Sequence, residues 1–124
     1  MIKNIFLIFI GGGLGSVFRY LISEIIFLKK FDFPYPTLLI NLLGCFLIGL
    51  ALGWSIKNSD LNSSLLILFT VGFCGGFTTF SSFSQESLTL INNNQFFYFF
   101  SYLLLSITMG ILFVYIGMKI SKYL

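Results

Sequence analysis

The sequence predicts an all-α membrane protein with four transmembrane helices per chain, the third of them broken near its middle. Three observations carry that prediction. Apolar residues make up 57 % of the chain and charged residues 9 %, against about 25 % charged in a typical soluble domain, and the mean hydropathy is +1.00. Four apolar segments, at residues 3–28, 37–56, 64–91 and 96–123, each match or exceed the roughly 20 helical residues that cross about 30 Å of hydrocarbon. The third segment also holds the run GFCGGFTTFSSFSQE from Gly72 to Glu86, with three glycines and five Ser/Thr residues. Irregular or polar backbone at membrane depth is tolerated where it is buried in protein or lines a wet cavity, so this run marks a site.

The same numbers exclude several classes of function. The whole of 1–124 reads as a single four-helix domain with no soluble domain left over. The pI near 9.0 comes from charges scattered over helix ends, without the basic cluster and interleaved aromatics of a nucleic-acid surface. With no histidine, and with Cys45 and Cys74 far apart inside apolar runs, neither a zinc site nor CxxC redox chemistry is expected. No nucleophile–base pair and no paired carboxylates suggest an enzyme.

Segment one carries Arg19 and Glu24 and lacks a small-x-small cleavage pattern, so it reads as a retained span. Its GGGLGS, Gly11 to Ser16, lacks the GK[ST] ending of a phosphate loop and any preceding strand. A connector with Lys29, Lys30, Asp32, Pro34 and Pro36 follows, and Pro36 suits the start of segment two, where its missing N–H costs little. In segment two Asn41 is flanked by leucines and isoleucine, with Thr37 one turn earlier on its face. A buried amide there either bonds another helix or offers its NH₂ to a passing ion. Lys57 to Asp60 and Asn92 to Asn94 punctuate the remaining connectors. Segment four presents Tyr102, Ser106 and Gly110 at four-residue steps, a narrow polar and small stripe. Pairs at GxxxG spacing, Gly11/Gly15, Gly49/Gly53 and Gly72/Gly76, together with Gly110/Gly117 on one face of segment four, predict close helix packing.

Charge gives almost no orientation signal. Lys3, Lys57, Lys119 and Lys122 belong to the side of the termini; Arg19, Lys29 and Lys30 belong to the other, Arg19 because it lies about 24 Å along the helix from Lys3. Lysine and arginine asymmetry normally sets topology. Its near absence leaves two alternatives, a single weakly biased orientation or copies that insert both ways and pair antiparallel. Four helices can hardly enclose a pathway, which favours an oligomer.

Within segment three, Gly75-Gly76 followed by Thr78-Thr79 weakens the helix. A break frees carbonyls, suited to a hard cation such as sodium, and N–H groups, suited to an anion. Phe80 and Phe83 follow, three apart on one face, among Ser81, Ser82 and Ser84. A ring edge is electropositive and can touch a small anion without trapping it.

The motifs GG-x-x-G-x-x-x-RY at Gly11 to Tyr20, TLLINLLGCFLIG at Thr37 to Gly49 and GFCGGFTTFSSFSQE at Gly72 to Glu86 together resemble the CrcB/Fluc family of fluoride channels, across all four spans. The resemblance implies an antiparallel, dual-topology homodimer in the inner or plasma membrane of a prokaryote, with two fluoride pores around a central structural sodium ion. It implies passive fluoride export that protects the cell. By motif, Phe80 and Phe83 match ring-edge pore residues and Asn41 an asparagine that faces fluoride. Gly75 and Thr78 match carbonyl ligands of sodium, while Thr79 and Ser81 fall beside the break. Tyr102 and Ser106 align with a polar track on the fourth helix, and Arg19 and Glu86 with charged vestibule positions. Two rival readings are a proton-coupled small multidrug exporter, also a four-helix dual-topology dimer, and a noncatalytic subunit of a larger membrane complex. The exporter relies on a membrane-embedded glutamate in its first helix, whereas here Glu24 lies near the end of segment one.

Overall fold

The computed structural model of the chain describes residues 1–27, 32–58 and 63–123. Leu28, Lys29, Lys30 and Asp60, used above in the boundaries and the charge pattern, lie outside the described residues. The chain is helical, without strands among the described residues: α1 Ile2–Phe27, α2 Tyr35–Lys57, α3 running through Ser64–Leu66, Ile67–Cys74 and Gly75–Phe77, α4 Phe80–Asn92, and α5 Phe96–Ser121. Among the described residues four helical stretches are long and apolar enough to cross a membrane, the third being α3 and α4 together, Ser64–Asn92.

The ends of these helices follow from local chemistry. Pro36 sits in the first turn of α2, where no intrahelical partner for its nitrogen is needed. Ser63 caps α3, its hydroxyl accepting from Leu66 N–H at 3.0 Å. The Asn92–Asn94 connector turns tightly because Asn94 adopts a left-handed conformation, φ 57°. Asn94 N–H then reaches Ile91 O at 3.0 Å and Gln95 N–H reaches Leu90 O at 2.9 Å, the paired bonds that close a helix C-terminus.

The third span departs from a simple broken helix. Its first half is π-helical over Ile67–Cys74, a conformation found mostly as single turns at functional sites. Within it the Thr70 hydroxyl donates to Leu66 O at 2.7 Å, occupying a carbonyl that an α-helix would give to a backbone N–H. The run recovers α geometry at Gly75–Phe77 and then stops. Thr78 (φ −82°, ψ 158°) and Thr79 (φ −147°, ψ 120°) are extended, and α4 begins at Phe80 with Thr79 as its cap, accepting from Ser82 N–H at 3.2 Å.

The bundle is two tight pairs, α2 with α5 and α1 with α3. In the first, Gly117 lies on the backbone of Phe46 and Leu50, Gly49 on Val114, and Gly53 on Met118 and Ser121. In the second, Gly11 and Gly15 lie on the backbone of α3 at Leu68, Phe73 and Phe77, while Gly76 lies on Gly12. A Cβ at any of these positions meets backbone or a packed side chain, so the glycines set the interhelical spacing. The core of buried side chains is correspondingly small, centred on Phe33, Leu38, Leu90 and Tyr102, and most large apolar side chains face outward. In lipid that is the expected arrangement.

Gly117→Ala is expected to lower stability by about 1–3 kcal/mol, the range for overpacking a tight contact. Gly13→Ala, where nothing lies within 4 Å of the added carbon, should leave it unchanged or slightly higher. Thermal midpoints of the two variants in one detergent check this.

Candidate functional site

The break between α3 and α4 is held from the neighbouring helix. Asn41 of α2 accepts Thr79 N–H on Oδ1 at 2.8 Å and donates Nδ2–H to Thr79 O at 3.1 Å. One amide thereby satisfies both backbone groups that the extended residue removes from the helical ladder. Of the two readings of Asn41, an interhelical bond is the one observed, and it leaves one Nδ2 hydrogen uncommitted. Three residues further along α2, Gly44 leaves room for the Thr78 methyl, which a Cβ there would strike. The small residue and the amide thus admit and pin one kink.

A groove of about 450 Å³ opens at the break, lined by Asn41, Cys45, Thr78, Thr79, Phe80, Phe83, Leu103, Ser106 and Ile107. It holds no formal charge. Six residues singled out in the sequence therefore meet here: Asn41, Thr78, Thr79, Phe80, Phe83 and Ser106. Ser106 Oγ is buried without a hydrogen-bond partner. A buried hydroxyl with a free proton is uncommon and calls for a reason. Phe80 and Phe83 are 5.7 Å apart between ring centroids, and Phe80 is 79 % exposed, so this wall of the groove is open outward.

Other predicted residues stand behind or beside the groove. Ser81 does not line it; its hydroxyl lies 3.1 Å from Thr79 Oγ1. Tyr102 is fully buried, its ring 4.9 Å from that of Phe83, and its hydroxyl donates to Glu86 Oε2 at 2.7 Å. Thr37 donates to Glu86 Oε1 at 2.6 Å. Both carboxylate oxygens are thus engaged by hydroxyls, and the single proton of Tyr102 points at Glu86 rather than into the groove. Glu86 lines a second cavity of about 570 Å³, with Thr37, Ser82, Gln85, Ser23 and Asp32 on its wall, next along the span from the groove. Arg19 of α1 lines neither cavity.

The role of Thr37 as a Glu86 partner and the place of Cys45 in the groove wall were not foreseen. The signal was present: Thr37, Asn41 and Cys45 recur at four-residue steps on one face of α2. Ser16 of α1 was missed as well; its hydroxyl donates to Gly76 O at 3.4 Å, and no motif flags it.

Among the described residues no cluster of three His, Cys, Asp or Glu could hold a metal. Oxygen donors are present at the break instead. The last helical donor of α3 is Thr78 N–H, bonded to Cys74 O at 3.0 Å, so the carbonyls from Gly75 to Thr78 lie past the end of the ladder. Gly76 O is taken by Ser16. Gly75 is exposed, with no atom nearer than 4.0 Å to the position of an added Cβ. Neutral carbonyl oxygens suit a hard monovalent cation rather than a transition metal.

A multi-pass helical membrane protein whose polar groups converge on an uncharged groove at a helix break belongs to the transport class of membrane proteins. The chain is a member of the family described as CrcB-like protein, Camphor Resistance (CrcB), whose profile matches residues 6–118. Curated relatives are similar over almost their entire length. One from Azobacteroides pseudotrichonymphae is 44 % identical over 124 residues, covering 99 % of each chain. One from Phocaeicola vulgatus is 42 % identical over 121 residues, covering 97 % of this chain and 99 % of the relative. A third, from Flavobacterium psychrophilum, is 42 % identical over 125 residues, covering 98 % and 99 %. Each of these relatives is called a fluoride-specific ion channel.

Asn41→Ala strips two backbone partners at once and should lower stability by about 2–6 kcal/mol, at roughly 1–3 kcal/mol per buried group left unsatisfied. Denaturation midpoints check this, with Leu39→Ala, at an exposed position on the same helix, as the smaller comparison.

Proposed function

We propose that the chain is a fluoride-selective channel through which the anion leaves the cell passively, and that the groove at the helix break is part of its route. The observation that carries this reading is the groove's lining: an amide with a spare N–H, an unpartnered Ser106 hydroxyl and two phenylalanine rings, with no charge among them. The names of the relatives supply the ion.

Fluoride is small and strongly hydrated, so a selective route must replace its water with close donors. Conduction also requires that each contact release the ion. A lysine in the groove would bind too well. Amide and hydroxyl hydrogens and ring edges offer partial positive charge only, and spread it along the path. Asn41 and Thr79 would supply polar contacts at the break, Phe80 and Phe83 the ring edges, and Ser106 a donor on the facing helix. Tyr102 and Ser81 act one step back in this scheme, Tyr102 fixing Glu86 and supporting the Phe83 ring. Glu86 and Arg19 belong to approaches beyond the groove. Fluoride enters cells as HF and dissociates in a more alkaline interior. An inside-negative potential then drives the anion out, worth about 2.3 kcal/mol per charge for each 100 mV.

The groove is open where Phe80 is exposed, which supports a second copy as its missing wall. We propose an antiparallel homodimer of oppositely inserted copies, in keeping with the weak charge asymmetry, and hence two equivalent routes. Gly75 and Thr78 carbonyls from both copies would hold a sodium ion at the centre. There it would contribute a fixed positive charge that joins the two breaks.

Purified protein in liposomes loaded with fluoride or with chloride tests the reading. Fluoride should escape rapidly and chloride should stay. Phe83→Ile and Ser106→Ala should slow fluoride release by about tenfold or more, the equivalent of one lost hydrogen-bond-sized contact of about 1.4 kcal/mol. Equal release of the two anions, or unchanged rates in both variants, would remove the groove from the pathway. Drug uptake driven by a pH gradient would instead mark a proton-coupled exporter.

A further inference from the structure

Phe33 is a buried phenylalanine that belongs to none of the helices; it stands in the connector just before α2. Connectors ordinarily run over the surface, so its burial has a specific cause. Pro34 adopts φ −78° and ψ 60°, and Tyr35 N–H donates to Phe33 O at 2.8 Å. Those are the dihedrals and the bond of an inverse γ-turn, and the proline ring holds φ there in advance. Pro34 O in turn accepts Leu38 N–H at 3.2 Å, which opens α2. Phe33 is thereby tied through a stiff turn to the start of a rigid helix.

The Phe33 ring packs among other rings. Its centroid lies 4.8 Å from that of Tyr35, 6.0 Å from Tyr98 and 5.6 Å from Tyr102. The contacts with the two α5 tyrosines are edge-to-face, at 75° and 74°. Tyr102 is the junction. Its hydroxyl donates to Glu86 at 2.7 Å, and its ring lies 4.9 Å from Phe83, which lies 5.7 Å from Phe80. A file of ring contacts thus leads from the connector through Tyr102 to the two phenylalanines of the groove wall, although Phe33 does not line the groove. Glu86 holds Tyr102 at its tip and Phe33 holds it along the ring. Without the second restraint the Tyr102 ring can pivot about its hydroxyl bond, and Phe83 loses a fixed surface to lean on.

We propose, taking the groove as the ion's route, that Phe33 is a positioning residue for conduction: seated by the Pro34 turn, it fixes the Tyr102 ring and through it the Phe83 edge that meets the ion. The α1–α2 connector, which carries no pore group, is then part of what sets the conduction rate.

Fluoride release from liposomes carrying at most one channel each tests this role, because the amplitude counts folded channels while the rate reports each one. Phe33→Leu keeps an apolar side chain in the core and removes the ring. It should slow release per channel by about two- to tenfold, the range that the geometry of one aromatic pair is worth. In a Tyr102→Leu background the same substitution should change the rate by less than about twofold, because the residue through which it acts is gone. Pro34→Ala keeps the ring and frees the turn; it should slow release by a smaller factor, and it carries the test if Phe33→Leu does not fold. Leu66→Ala truncates a buried side chain of α3 outside this cluster and should leave the rate per channel as in the wild type. A wild-type rate in Phe33→Leu, or in Pro34→Ala where only that variant reconstitutes, would overturn the role. So would an equal effect of Phe33→Leu with and without Tyr102, or an equal slowing by Leu66→Ala, which would mark general loosening of the bundle. Wild-type protein that releases no fluoride, or Phe83→Ile that releases it at the wild-type rate, would instead remove the groove from the pathway and this role with it.

Discussion

The two hydrogen bonds between Asn41 and the backbone of Thr79 are the constraint on which the rest of this structure depends. In hydrocarbon an extended residue inside a span leaves a donor and an acceptor that water cannot satisfy. One amide on α2 satisfies both. Because the amide is fixed to the break, α4 starts at a fixed place, and Phe80 and Phe83 are carried on its first turn. Thr79 serves both halves of the arrangement, its backbone bound to Asn41 and its hydroxyl capping α4. The groove follows from this geometry, since its walls are the two sides of the break and the face of α5 that carries Ser106.

Glycine contacts hold the helices close enough for such short side chains to reach. Gly11, Gly15 and Gly76 seat α1 on α3, and Gly49, Gly53 and Gly117 seat α2 on α5. The second pair also determines what lies at its two ends. At one end Tyr102 and Thr37 converge on Glu86; at the other Ser121 packs on Gly53 and Lys57 reaches the Lys122 carbonyl. What the single chain does not do is close its own groove. Phe80 faces outward, and the proposal of a second, inverted copy rests on that open wall together with the even distribution of lysine and arginine.

Much of the fold was legible because membrane helices are constrained by length and hydropathy, and their ends by capping chemistry. Ser63, Pro36 and the asparagine run each stand where the sequence places a boundary, within a residue or two. The break was legible from Gly75-Gly76 and Thr78-Thr79, although the chain leaves helical geometry at the threonines rather than at the glycines. The glycines serve instead for clearance, with Gly76 against α1. The π-helical turn of Ile67–Cys74 carries no comparable signature in the sequence, since it reflects how α3 accommodates its neighbours and the Thr70 hydroxyl.

At the site, residue types were legible and directions were not. The sequence identifies Asn41 as an amide needing a partner, Tyr102 and Ser106 as part of a polar stripe, and Glu86 as a charged position, but partners are set by tertiary packing. Tyr102 lies behind Phe83 and spends its proton on Glu86, Ser106 is buried at the groove wall without a hydrogen-bond partner, and Arg19 lines neither cavity. Spacing along one helix cannot distinguish those outcomes.

The central claim is that fluoride crosses as a bare anion, passed between uncharged donors. Electrogenicity tests it most directly. Liposomes containing the protein and loaded with potassium fluoride should hold the ion until a potassium ionophore is added, because each departing anion builds an opposing potential, and then release it at once. Full release before the ionophore is added would contradict the account, showing that the charge is compensated within the protein by a coupled proton or an exchanged ion.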